Sequence, residues 1–300
     1  MEPLQRYVAE EIATDHAEGL LPRREALRRL GLLGLGVGAA TALLAACSSG
    51  DDTPATAPAP AATTTAAPPG SAAALPTTPI TYPGQDGRTL QGAWAAAAQP
   101  KGAVLVIHEN RGLTDHHRSV AGRFAGAGYS ALAVDLLSDH GGTATFTDPA
   151  AATAALTGTP QDRLLGDLRS GLEELGRRAP GKKLGATGFC FGGGLTWLLL
   201  ATGTPGLAAA TPFYGPFPDN GDLASTRAAT LGIYAAQDDR VNASRPAAEA
   251  ALQRAGLPHR VFTAPDADHA FFNDTGTRYQ PDAAAEAWRR VIDWYGTHLA

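Results

Sequence analysis

Gly188-Phe189-Cys190-Phe191-Gly192-Gly193-Gly194 decides how the rest of this chain is read. It is preceded by a short strand-like run, Leu184 to Thr187, and opens an apolar helical stretch from Gly192 to Thr202. A reactive side chain with glycine two residues before and two after it, between strand and helix, marks a strained turn that pushes that side chain into a cleft. Glycine is needed because side chains at those flanking positions would collide with the neighbouring strand and helix. Cys190 is therefore the candidate nucleophile, and the N-terminus of the following helix favours its thiolate. A phosphate-binding loop would require G-x-x-x-x-G-K-[ST], and no Lys stands here to meet the phosphates. An inert buried Cys in a glycine turn is the plainer alternative.

Outward from this turn, apolar runs alternate with helical patterns. Gln91 to Ala98 reads as an early strand, and Ala103 to Ile107 is a continuous run of the kind found in sheets covered on both faces. A helix is expected over Asp115 to Ala127 and a strand over Tyr129 to Val134, followed by a long loop around Gly141-Gly142. Then come helix Gln161 to Arg178, strand Leu207 to Phe213, strand Leu231 to Ala235, helix Ala243 to Ala255, strand Arg260 to Thr263 and helix Pro281 to His298. Such alternation predicts an α/β architecture, a doubly wound, mostly parallel sheet flanked by helices. Ligands of such sheets bind beyond the carboxyl ends of the strands.

Two further segments lie just after predicted strands, in the chain order that an α/β-hydrolase fold requires: nucleophile, acid, base. Gln237-Asp238-Asp239-Arg240-Val241 supplies acids, and Asp266-Ala267-Asp268-His269-Ala270-Phe271-Phe272-Asn273-Asp274 supplies a histidine. His269 can take the thiol proton and return it to a leaving group, and an Asp on its other nitrogen would fix the tautomer. Asp238 is chosen over Asp239 as the first acid past the strand, a narrow margin on spacing alone.

Together the turn, the Gln-Asp-Asp-Arg-Val segment and Asp-His-Ala-Phe-Phe-Asn-Asp resemble the dienelactone hydrolase family from about Ile80 to the C-terminus. The resemblance implies a Cys190-Asp238-His269 triad. It also implies that Glu109, in His108-Glu109-Asn110-Arg111-Gly112, contacts the resting thiol and helps activate it, and that the backbone N–H groups of Asn110 and Phe191 bind the oxyanion. One departure bears on specificity: the family places a carboxylate-binding Arg where this chain has Asn273, and the loop Ser138 to Thr147 holds no Arg. Arg111 or Arg240 is a candidate substitute, Arg240 reading more readily as a partner of nearby acids.

The first 47 residues read as an address. Arg23, Arg24, Arg28 and Arg29 precede an apolar run from about Leu32 to Ala46, which ends at Leu44-Ala45-Ala46-Cys47. The run resembles a signal sequence with twin-arginine and lipobox features, which implies lipidation of Cys47, export, and a cell-envelope lipoprotein on the outer face of the cytoplasmic membrane or a secreted protein. The plainer alternative is an amphipathic helix of the mature protein. Met1 to Leu21, acidic in character, is unusual ahead of such a signal. Residues 48–78, beginning in a Ser, Thr, Ala, Pro, Gly and Asp tract, are expected to be a disordered linker. Residues 79–300 form the expected hydrolase domain.

Composition narrows the partners. A net charge of −5 without any basic, aromatic-interleaved stripe argues against nucleic acid. Two cysteines, one of them in the address region, exclude a disulfide framework, and no Cys/His spacing fits a metal site. The expected function is hydrolysis of small carboxylic esters or lactones through a thioester, with no cofactor and no metal. Acyl transfer on the same triad and a non-catalytic exported binding lipoprotein are the alternatives.

Overall fold

The computed structural model describes residues 1–47 and 67–300. The N-terminal part contains α1 (Pro3–Ala17), α2 (Arg23–Leu32) and α3 (Val37–Cys47). After it come β1 (Thr78–Pro83), β2 (Thr89–Ala95), β3 (Gly102–Ile107), α4 (Asp115–Gly126), β4 (Tyr129–Asp135), α5 (Pro149–Gly158), α6 (Gln161–Arg178) and β5 (Leu184–Phe189). The chain ends with α7 (Phe191–Ala201), β6 (Leu207–Phe213), β7 (Ala229–Ala235), α8 (Asp239–Asn242), α9 (Arg245–Arg254), β8 (His259–Ala264) and α10 (Pro281–His298).

The eight strands make one sheet in the order β1-β2-β4-β3-β5-β6-β7-β8. β1 and β2 run antiparallel at one edge, and β3 to β8 pair in parallel. This is the α/β-hydrolase architecture expected from the alternating pattern. Every residue of β3, β4 and β7 is buried, which is why those strands are apolar without alternation: helices cover both faces. The longer helices are amphipathic by contrast. In α6 the stripe Leu164, Leu165, Leu168, Leu172 and Leu175 faces the sheet, each side chain contributing about 1.5–3 kcal/mol by leaving water. Beneath the central strands, Tyr295 of α10 hydrogen-bonds Thr187, Thr211 and the carbonyl of Ala186, so this buried polar cluster is satisfied internally.

Three segments depart from the sequence expectations. β1 is a strand that the sequence reading did not anticipate, and α5 occupies part of what reads as a long loop. The linker, expected through residue 78, lies outside the described residues over 48–66. Its later part is packed: the Leu75 N–H donates to the Gly122 carbonyl of α4 at 3.0 Å, and Gly126 approaches Ala73 so closely that a Cβ would meet its oxygen at 2.0 Å.

The first 47 residues also pack on the domain. Along α1, Leu4, Tyr7, Val8 and Ile12 are buried at helical spacing, and Arg28 of α2 pairs with Asp148, the N-cap of α5, at 2.7 Å. No helix among the described residues is long and apolar enough to cross a membrane.

Candidate active site

Cys190 sits between β5 and α7 with φ 54° and ψ −116°, a conformation that a non-glycine residue holds only when its surroundings force it. Those surroundings are backbone. A Cβ on Gly188 would stand 2.0 Å from the carbonyl oxygen of Gly192, and one on Gly192 would stand 2.4 Å from that of Ile107. The glycines flanking the thiol are thus required by contact between β5, α7 and β3, as the motif implies. Phe191 opens α7, so its N–H is among the first-turn donors for which a helix offers no internal partner.

The acid and the base arrive from neighbouring strand ends. Asp238 follows β7, and its Oδ1 accepts the Val241 N–H while its Oδ2 lies 2.6 Å from His269 Nδ1. Asp239 is exposed. His269 follows β8, with its backbone N–H held by Asp268 and its ring set edge-on to Tyr214 at 5.1 Å between centroids. The Cys190 sulfur, a His269 ring nitrogen and a carboxylate oxygen lie within 4.8 Å of one another, but that carboxylate belongs to Glu11 of α1.

Burial opposes a charge on His269, yet the adjoining Asp238 carboxylate and the Cys190 side chain outweigh it and hold the ring's pKa well above its usual value. Burial raises the Cys190 pKa to about 11, with Glu11 adding to the rise and His269 working against it. The Cys190 Sγ lies 3.4 Å from Glu11 Oε2, a distance at which the thiol donates to that carboxylate.

The loop after β3 carries the other expected residues. Glu109 does not hydrogen-bond the thiol: its Oε2 accepts from the Asn273 amide at 2.7 Å. The carboxylate in contact with the sulfur is that of Glu11, not of Glu109. Asn110 donates its side-chain amide to the same Glu11 carboxylate at 3.2 Å. Glu109, Asn110, Arg111, Cys190, His269 and Asn273 nonetheless line a single cavity of about 460 Å³. The Glu109 N–H is held by Nε2 of buried His117 at 3.3 Å, which fixes the loop next to Asn110.

Arg240 lies over the Tyr7 ring at 4.2 Å and donates to the Tyr7 carbonyl, so it is engaged with α1. Tyr7 itself places its hydroxyl 3.5 Å from both the Cys190 sulfur and His269 Nε2. Neither Tyr7 nor Glu11 was a sequence candidate. The signal for their helix was present in the spacing of Leu4, Tyr7, Val8 and Ile12, but the arginines and Cys47 draw the eye to an address instead.

Comparison with known proteins agrees with this architecture. A sequence profile of the dienelactone hydrolase family matches residues 90–299. A protein of Escherichia coli that carries the provisional name carboxymethylenebutenolidase is 31% identical over 209 residues, spanning 65% of this chain and 77% of its own length. Among solved structures, a protein of Klebsiella pneumoniae that carries the provisional name dienelactone hydrolase superposes with a TM-score of 0.65 at 27% identity, covering 75% of this chain and all of that one. A promiscuous phosphotriesterase of dienelactone hydrolase-like fold, from metagenomic libraries, gives 0.66 at 25% identity over the same 75% of this chain and all of its own. With most of the folded domain matched by the profile, the chain is a hydrolase belonging to the dienelactone hydrolase family.

Proposed function

We propose that this hydrolase cleaves small carboxylic esters or lactones, with Cys190 as nucleophile, His269 as acid and base, and Asp238 orienting His269. The observation that carries the reading is the line from Asp238 through His269 toward the strained Cys190, each at the carboxyl end of its own strand. His269 takes the thiol proton as sulfur attacks the carbonyl carbon, and the oxyanion is met by the N–H groups of Asn110 and Phe191. Collapse expels the alkoxide, which receives the proton from His269 and leaves a thioester on Cys190. Water then attacks the thioester with His269 as base, releasing the acid and restoring the thiol.

Arg23-Arg24, the apolar run and Cys47 support a second part of the reading, in which the chain is exported, cut before Cys47 and lipid-anchored there, so that α1 belongs to the precursor and leaves with the cut. Mass analysis of Cys47 in the cell envelope tests that part.

The hydrolase reading is tested by incubating the chain, with α1 undocked by Val8→Asp on its fully buried face, with 4-nitrophenyl butyrate and with dienelactone, Cys190→Ala being made in the same background. Turnover and a butyryl adduct on Cys190, both absent from Cys190→Ala, are the expected result. Turnover unchanged in Cys190→Ala would overturn it. Dienelactone turnover reports whether Asn273, in place of the family's Arg, has moved the specificity.

A further inference from the structure

The sequence leaves Met1 to Leu21 without a role, and the structure places its helix in the catalytic cleft. Tyr7 is 5% exposed, Cys190 2% and His269 5%. The Tyr7 hydroxyl, 3.5 Å from both sulfur and Nε2, stands between the atom that must reach a carbonyl carbon and the atom that must reach its leaving oxygen. Glu11, one turn on, accepts from the thiol and from the Asn110 side chain, and so covers the loop that carries an oxyanion donor. Farther along the same helix, Asp15 pairs with Arg278 at 2.8 Å and Glu18 pairs with it as well, while Arg278 also reaches Asp268, the residue before His269.

α1 also divides the cleft. Cavities of about 300, 460 and 510 Å³ adjoin it, and α1 supplies part of the wall of each. Glu11 and His269 line the 300 and 460 Å³ cavities, Cys190 the 460 Å³ one, Tyr7 the 510 Å³ one and Arg240 the 300 and 510 Å³ ones, so α1 stands among the three beside the thiol. α1 lies outside residues 90–299, the part that matches the family.

We infer that α1 is an intramolecular blocker of the catalytic cleft, with Tyr7 and Glu11 filling the space that a substrate's acyl group must enter, so that the chain is latent while α1 is docked. The inference rests on the reading of Cys190 as the nucleophile. The contacts of the sulfur are consistent with it: burial, and then Glu11, disfavour the thiolate that attack requires, and α1 contributes to both.

Two full-length variants test it. Tyr7→Ala with Glu11→Ala empties the contacted space, and Val8→Asp puts a charge on the fully buried face of α1 and undocks it. Alkylation of Cys190 by iodoacetamide is followed by peptide mass, which separates it from Cys47, alongside hydrolysis of 4-nitrophenyl butyrate and Tm. Cys190 alkylation should accelerate about tenfold or more in both variants at unchanged domain folding. Ester turnover should rise with it. Alkylation as fast in the parent as in the variants would overturn the inference, and so would a folded double variant whose turnover falls, since α1 would then be a working wall of the site. If Val8→Asp unfolds the domain, the double variant decides. Faster alkylation with no ester turnover in any form upholds the block and counts against the hydrolase reading alone.

Discussion

Asp238 and Asp239 are consecutive, yet the first is buried 2.6 Å from His269 Nδ1 while the second is exposed at the start of α8. Their difference is positional: Asp238 caps α8 and turns back toward the loop after β8, whereas Asp239 points outward. Asp238→Asn should leave the fold intact and lower kcat by about 10²–10⁴-fold, because an amide offers His269 the wrong partner for its Nδ1–H. Asp239→Asn should change kcat less than about twofold. Steady-state kinetics on one activated ester, in a background freed of α1, separates the two.

Gly192→Ala should be among the most damaging single changes available to this chain. The added methyl would meet the backbone oxygens of Ile107 and His108 at 2.4 and 2.6 Å, and neither can move without breaking β3 or the loop beyond it. A loss of more than about 3 kcal/mol is expected, read as poor soluble yield or a large fall in Tm. Gly87→Ala, where no atom lies within 4 Å, is a useful contrast, since its cost comes from φ alone.

Acid should destabilise the protein in two steps. His117 is buried and its pKa lies well below the usual value because of burial and the neighbouring His116 and His108. The unfolded chain therefore takes up protons that the native ring refuses, and stability falls as pH drops below about 6.5. Burial works against ionisation of Asp274, but His116 and Arg123 outweigh it and hold its pKa at about 2, from an ordinary 3.8. Its contribution, about 2 kcal/mol, is present above pH ~4 and lost between ~4 and ~2. Tm measured from pH 7 to pH 3 should show both, and Asp274→Asn should flatten the lower step.

His117→Leu should weaken catalysis without touching the triad. Its Nε2 accepts the Glu109 N–H, one residue before the proposed oxyanion donor Asn110. With that acceptor gone, the peptide just before the one carrying the Asn110 N–H loses its anchor, and kcat should fall about tenfold or more with KM little changed. A KM effect of equal size would point to general loosening of the cleft instead.

The parallel sheet was legible because β3 to β7 are buried on both faces and so read as apolar runs punctuated by glycine. The grouping of Cys190, Asp238 and His269 was legible because each follows a strand of the parallel sheet, which brings the loops beyond those strands together. β1 was not: it is an antiparallel edge strand with prolines at Pro79 and Pro83 and alternating, mostly exposed positions. α5, Pro-Ala-Ala-Ala-Thr-Ala-Ala-Leu-Thr-Gly, lacks polar contrast and so shows no helical face. The Glu109–Asn273 bond joins residues 164 apart in the chain, and Glu11 meets Cys190 across 179. No local pattern announces a pairing at that range; it is set by how strands and helices are brought together.

The three N-terminal helices reach the sheet through one covalent connection, residues 48–66. While that connection is whole, α1 returns to the cleft at an effective concentration fixed by the connecting chain, and modest affinity suffices to keep it there. A single cut between Cys47 and Ala67 leaves the contacts of Tyr7 and Glu11 in place, yet it makes the same encounter bimolecular, and dilution then decides whether the cleft stays filled.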